Sequence, residues 1–307
     1  MKIAVMATGG VGGVFGAKLA NAGEDVTFIA RGAHLEAIRN NGLRIAGDEG
    51  DLVVEAPQAT DDPAAVGPVD VVMFAVKLWD TESAAEMCRP LLGPDTVVIP
   101  FQNGVVSTDV ITGVLGPEHT GRGLSRVSAS IEAPGVIRQV GKFASLVFAD
   151  SDGASSPRME AFLAACERAG IDAEIPKDIL RAVWQKFTLL VTLSGMTTAG
   201  RQPMRALIAE AEGLATAEAC MSEVAAVGRA QGIDLPDDTV SKLIAFTQGM
   251  PKAMKASQAI DLENGRRLEA PWLTGTVCEM GRELGIPTPI NDALYAVIKP
   301  YIMGPPE

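Results

Sequence analysis

The sequence predicts an α/β protein in two parts, a parallel-sheet domain followed by an all-helical one. Three observations carry this. The first half alternates short β-branched apolar runs with helical patterns, and the second half consists of long 3.6-period segments rich in Ala, Leu and Met. The length of 307 residues also exceeds one ordinary domain of about 100 to 200 residues.

The runs at 3–7, 26–30, 69–76 and 97–100 are apolar apart from Thr27 and Asp70, as strands covered on both faces are, and helical patterns fall at 14–22, 34–40 and 81–92. Residues 45–57 read as a more polar edge excursion. Further strands at 124–129, 136–140 and 144–148 and a closing helix at 159–169 complete a first domain assigned to 1–172. The polar run 150–157 is a loop inside it, and the linker is placed at 172–176. Helices at 177–198, 204–231, 236–248, 268–284 and 291–301, with a less defined one at 252–262, make up a second domain, 176–307. Pro203, Pro236, Pro251, Pro287 and Pro289 stand at their boundaries.

Lys plus Arg is 26 and Asp plus Glu 38, and 26 − 38 = −12. That balance repels nucleic acid and anionic membranes, so neither is an expected partner, and an anionic ligand must be held locally. The apolar stretches 69–76 and 187–193 are far shorter than the roughly 20 residues of a membrane span. The N-terminus runs straight into a glycine loop without a secretory pattern, which leads us to expect a cytoplasmic protein. Cys88, Cys166, Cys220 and Cys278 are widely spaced and expected to be reduced core thiols, and no metal site is expected.

Directly after the first strand stand Ala7, Thr8, Gly9, Gly10, Val11, Gly12 and Gly13, and Gly16 lies on the helix face that would meet the sheet. A glycine-rich strand-to-helix turn admits a pyrophosphate to free amides at the positive end of the helix dipole, so this is read as the dinucleotide site of a Rossmann-type domain. Ala7 holds the first position of the G-x-G-x-x-G frame, a departure, while Gly9 and Gly12 hold the second and third. The second strand ends in Arg31 rather than an acid. Its planar fork suits a 2′-phosphate, which favours NADP (NADPH) over NADH.

The two histidines, His34 in an adenosine-side loop and His119 in a turn, are badly placed to be a catalytic acid, which argues against His/Asp dehydrogenases and Ser/His/Asp hydrolases. Two lysines in apolar surroundings are better candidates. Lys77 follows the strand ending in Phe74, Ala75 and Val76, at the end of the sheet that borders the ligand crevice. Lys186 lies between Val183, Trp184, Phe187 and Leu189 on the first helix of the second domain, where desolvation should ease proton donation.

Taken together, the glycine loop at 7–16, Phe74 to Lys77, Gln102-Asn103-Gly104-Val105, Trp184-Gln185-Lys186, residues 257–261, Gly265 to Glu269 and Gly285 to Pro289 resemble the ketopantoate reductase (2-dehydropantoate 2-reductase) family over essentially the whole chain. The different glycine-rich stretch that precedes the lysine in β-hydroxyacid dehydrogenases is absent. The resemblance implies that Lys186 protonates the nascent alkoxide, that Asn103 positions nicotinamide and substrate, and that Lys77 joins the cofactor site. Glu269 would bind the substrate hydroxyl or orient the lysine, and Ser257 would hold the substrate carboxylate. On the residues alone, Asn103 reads as a turn residue, Glu269 as a first-turn helix charge and Ser257 as a solvent-facing helix residue.

Where the family often carries Asn, this chain has Leu190, Ser194 and Met254. The substrate end is therefore expected to be less polar, suiting a bulkier 2-oxo acid than ketopantoate. The expected activity is NADPH-dependent reduction of a 2-oxo acid held between the sheet crevice and the helical domain. The alternatives are an NAD-linked D-2-hydroxyacid dehydrogenase and a non-catalytic dinucleotide sensor. A homodimer through the Ala-, Leu- and Met-rich helical part is also expected.

Overall fold

The computed structural model describes residues 1–48 and 50–305. Glu49, within the expected edge excursion, and Pro306 and Glu307, at the end of the expected second domain, lie outside the described residues. The chain forms two compact units that divide between Ile179 and Leu180.

The first unit begins with β1 (Lys2–Met6), α1 (Gly10–Asn21), β2 (Asp25–Ile29) and α2 (Gly32–Asn41). The hairpin β3 (Leu43–Gly47) and β4 (Leu52–Val54) follows, then β5 (Gln58–Thr60), β6 (Val71–Phe74), α3 (Thr81–Met87), β7 (Val97–Pro100) and α4 (Ser107–Leu115). Five parallel strands form the main sheet in the order β5-β2-β1-β6-β7. Alternate residues of one strand feed opposite cores: Ile3 and Val5 pack with α1, and Ala4 and Met6 pack with residues of α3 and α4. Coverage on both sides is why β1, β2, β6 and β7 read as largely apolar runs, while the edge strand β5, which the sequence pattern did not indicate, is polar.

The excursion at 45–57 does not extend an edge of this sheet. Its strands β3 and β4 join a second sheet, with β8 (Gly121–Ala133), β9 (Val136–Asp150) and β10 (Asp172–Glu174), ordered β10-β9-β3-β4 with β8 against the free edge of β9. The three strands expected between 124 and 148 are thus two long ones. The pairing shifts register between Val127 and Ala129, and the residues of β9 opposite that shift are exposed, which breaks the sequence pattern. Between β9 and β10 lies α5 (Pro157–Arg168), whose Phe162 packs against Phe148 and Phe101, the residue after β7. Strand β10 occupies 172–174, where the linker was expected, and pairs in parallel with Ser145 to Val147.

The second unit is helical. It is built from α6 (Ile179–Gly200), α7 (Met204–Leu207), α8 (Ala211–Ala230), α9 (Thr239–Gln248), α10 (Ser257–Glu263), α11 (Thr274–Leu284) and α12 (Pro289–Ile298). Its core includes Met196, Met204, Ile208, Ala217, Met221 and Ile244. Trp184 lies against Gly228 of α8, where a Cβ would come within 2.7 Å of the indole. Among the described residues, no helix is long and apolar enough to cross a membrane.

Candidate functional site

From β1 the chain moves outward to β2 and β5 on one side, then returns to build β6 and β7 on the other. Such a reversal opens a crevice above the carboxyl ends of the two central strands. The singled-out segments of the first unit all leave from that edge: Ala7 to Gly12 after β1, Arg31 after β2, Lys77 after β6 and Asn103 after β7.

Ala7, in the first glycine position of the motif, has φ of 74°, the left-handed conformation that glycine adopts without strain. Its carbonyl then points at α1: a Cβ on Gly12 would come within 2.3 Å of that oxygen, so only glycine fits there. Gly16 is required for a different reason, because a Cβ would meet Val5 and Phe28 at 2.7 and 2.8 Å. Around Gly9, by contrast, a Cβ would find nothing within 4 Å. The first helical bond runs from Gly13 N–H to the Gly9 carbonyl at 2.8 Å, so the amides of Gly10, Val11 and Gly12 precede the ladder. Open space at Gly9 beside amides at a helix start fits a dinucleotide pyrophosphate.

The turn is clamped by residues that sequence reasoning passed over. Thr8 donates both its amide and its hydroxyl to the Ile29 carbonyl at 3.0 Å. His34, read as lying in the adenosine-side loop where the helical pattern 34–40 begins, stands in the first turn of α2, which starts two residues earlier at Gly32. Gly135 N–H donates to His34 Nδ1 at 3.0 Å, which leaves the proton on Nε2 to be donated to the Thr8 carbonyl at 2.8 Å. Burial holds the pKa of this imidazole below its usual value, against the opposing bond to Thr8. His119 instead bonds the Thr96 carbonyl at 3.0 Å, just before β7.

Arg31 is the extended residue just before α2. It is exposed, and its guanidinium lies 3.1 Å from the Met87 sulfur. The acids at the start of β2, Glu24 and Asp25, sit at its other end. Burial alone would raise the Glu24 pKa, but the N-terminal ammonium and Arg168 hold it below the usual range. Lys77 corrects an expectation: its residue is exposed rather than enclosed by apolar neighbours, since the buried strand ends at Phe74, and its ammonium lies 5.6 Å from the centre of the Trp79 ring. Asn103 is half-buried. Beside it, buried Gln102 donates to the Val76 carbonyl at 2.9 Å and the Thr81 hydroxyl at 3.0 Å, stapling the loops after β6 and β7.

In the second unit Lys186, Leu190 and Ser194 follow one another at four-residue steps along α6, one face of the helix. Lys186 and Leu190 are half-buried. Ser194 is only 1% exposed, and its hydroxyl has no partner within the described residues. Ser257 opens α10 and is exposed. That helix start is fixed to α6, because Ala256 N–H donates to the Thr197 hydroxyl at 3.2 Å and Gln258 to Thr198 at 3.3 Å. Glu269 is 9% exposed, immediately before the 3₁₀ turn Ala270–Trp272. The four cysteines are free and buried, and burial pushes each thiol up to about 12.

Comparison with known proteins adds to this geometry. Residues 3–153 match the model of the family described as Ketopantoate reductase PanE/ApbA, and residues 178–301 match its C-terminal counterpart. A 2-dehydropantoate 2-reductase of Mesorhizobium japonicum is 31% identical, the match covering 97% of each chain. The crystal structure of a PanE/ApbA family ketopantoate reductase from Ralstonia eutropha superposes with a TM-score of 0.89 at 32% identity over 97% of each chain. A D-mandelate dehydrogenase solved with NADH and anilino(oxo)acetate shares the fold at a TM-score of 0.87 and 22% identity, over 97% of each chain.

Proposed function

The chain belongs to the ketopantoate reductase family, and from that premise we propose that it reduces a 2-oxo acid to the 2-hydroxy acid with NADPH. Family membership makes it an oxidoreductase. The observation that supports a dinucleotide most directly is the turn after β1, where open space at Gly9 adjoins the amides of Gly10, Val11 and Gly12. Preference for NADPH rests on Arg31 at the end of β2, where an acid would select the unphosphorylated ribose.

The bound nicotinamide supplies the hydride. The protein's residues supply position and a proton. Asn103 orients the nicotinamide and the substrate carbonyl, with Lys77 assisting on the cofactor side. Lys186 Nζ gives its proton to the keto oxygen as negative charge develops there, so one ammonium both stabilises that charge and supplies the proton. Glu269 receives the substrate hydroxyl or orients Lys186, and Ser257 donates to the carboxylate. Leu190 and Ser194, with Met254, shape a less polar substrate end than three amides would, favouring an acid larger and more apolar than ketopantoate.

Following nicotinamide absorbance with NADPH or NADH and a panel of 2-oxo acids tests the reading. Turnover with NADPH and a 2-oxo acid is expected. Turnover confined to NADH would identify an NAD-linked 2-hydroxyacid dehydrogenase, and NADPH binding without turnover of any acid would identify a sensor.

A further inference from the structure

Strand β8 takes a course that the sequence did not disclose. It starts beside β7, with Thr120 bridging Val98. It then passes so close to the strand's end that a Cβ on Gly123 would lie 2.8 Å from the Pro100 carbonyl. The Ser125 hydroxyl donates to the Phe101 carbonyl at 2.9 Å, two residues before Asn103. Farther along, the strand crosses the crevice edge, where the Ala129 carbonyl would lie 2.3 Å from a Cβ on Gly10. Thus β8 runs from the Asn103 loop to the glycine turn.

Residues of a strand point alternately to opposite faces. Ser125 points to Phe101, and Val127 and Ala129 pack into the core of the first unit. Arg126 and Ser128 therefore point the other way. Arg126 is half-buried, yet it makes no hydrogen bond or ion pair with any described residue. Directly across on β9 stands Ser145, 3% exposed, its hydroxyl also without a partner. The next residue in that row, Asp172 on β10, forms no ion pair with Arg126. A guanidinium cannot discharge itself, and a chain carrying a surplus of 12 negative charges offers many acids with which to pair it. Its isolation is the mark of a site for an anion brought from outside.

Position along the strand decides which anion. Arg126 follows Ser125, which is held to the Phe101 carbonyl two residues before Asn103, and the register shift between Val127 and Ala129 separates it from the glycine turn, so its backbone stands on the Asn103 side of β8. Resting on the reductase reading above, we infer that Arg126 binds the carboxylate of the 2-oxo acid and is a specificity-determining residue of this protein. It supplies the full positive charge and paired donors that a serine hydroxyl lacks.

The test compares wild type with Arg126→Gln and Arg126→Lys. KM is measured for 2-oxobutanoate and for its methyl ester, and calorimetry measures binding of NADPH and, with NADP present, of oxamate, which cannot be reduced. Arg126→Gln is expected to raise KM for the acid and Kd for oxamate by roughly 10- to 100-fold. The ester and NADPH should change by less than about twofold, and Arg126→Lys should recover part of the loss. Equal changes for acid and ester, unchanged oxamate binding, or an equally large loss of NADPH affinity would overturn the assignment. NADPH binding also reports whether the variants fold. If wild type reduces no 2-oxo acid yet oxamate binding depends on Arg126, the reductase reading fails and the carboxylate site stands. If wild type neither reduces a 2-oxo acid nor binds oxamate, both fail.

Discussion

Lys186 and Arg31 carry the two most direct tests of the proposed reaction. Lys186→Ala should lower kcat by about 100-fold or more, the scale of a positioned general acid that also stabilises charge, with little change in NADPH affinity. If kcat stays within about threefold, Lys186 is structural and Lys77 takes its place. Arg31→Ala should remove the preference for NADPH, measured by fluorescence titration of both nucleotides, because no carboxylate ends β2 and one charge-assisted pair carries the choice. The places of both residues, just before α2 and on α6, were legible in the sequence. His34 was not. Its donor Gly135 is 101 residues away, and its neighbours in sequence give no sign of that bond. The consequence is a pH dependence with a definite sign. The folded-state pKa of His34 is depressed, so the unfolded chain takes up its proton first. Stability from this group is complete above about pH 6.5 and is lost as pH falls below it toward the folded value. Thermal unfolding followed from about pH 8 to about pH 5 should show wild type losing Tm more steeply below about pH 6.5 than His34→Gln, which cannot titrate. Parallel curves would mean that the clamp does not titrate in this range.

At the scale of elements, the glycine turn and α6 make contrasting demands. Gly12→Ala would drive a methyl into the Ala7 carbonyl, and since that oxygen belongs to backbone, α1 must shift. Loss of NADPH binding is expected, with destabilisation of about 1 to 3 kcal/mol read from chemical denaturation. Along α6, Leu190→Asn should shift kcat/KM toward ketopantoate and away from phenylpyruvate, an apolar competitor paying about 1 to 3 kcal/mol when the amide goes unpaired. An unchanged ratio would put Leu190 outside the pocket. Ser194→Asn is different: at 1% exposure the larger amide overpacks the helix interface, so it should lower stability whatever the substrate. Four strands of the main sheet, β1, β2, β6 and β7, were readable because largely apolar runs have a single common cause, coverage on both faces, whereas the short polar edge strand β5 was not. The break between α7 and α8 was not readable. Ile208, Ala209 and Glu210 include no glycine or proline, and the bend is set by Gly213, where a Cβ would lie 1.7 Å from the Leu207 carbonyl. Likewise β9 conceals its continuity, because its residues opposite the register shift face solvent.

For the whole molecule, the change from strand to helix patterning after Pro176 announced two units, and only the exact join escaped, because β10 is too short and polar to read as a strand. Each unit has its own core, and the proposed dinucleotide turn lies entirely in the first. The four cysteines fall two to a unit, Cys88 and Cys166 in the first and Cys220 and Cys278 in the second. Deeply buried and protonated, they should be silent toward a thiol reagent in the native state and react only where the chain opens. The protein thus carries a built-in clock for each half. With NADPH at about 100 times its Kd, ligand linkage adds about 2.7 kcal/mol to whatever unfolds with the turn. If the halves open independently, mass spectrometry after brief alkylation should find labelling slowed at Cys88 and Cys166 alone, and if they open together, all four thiols should slow by the same factor.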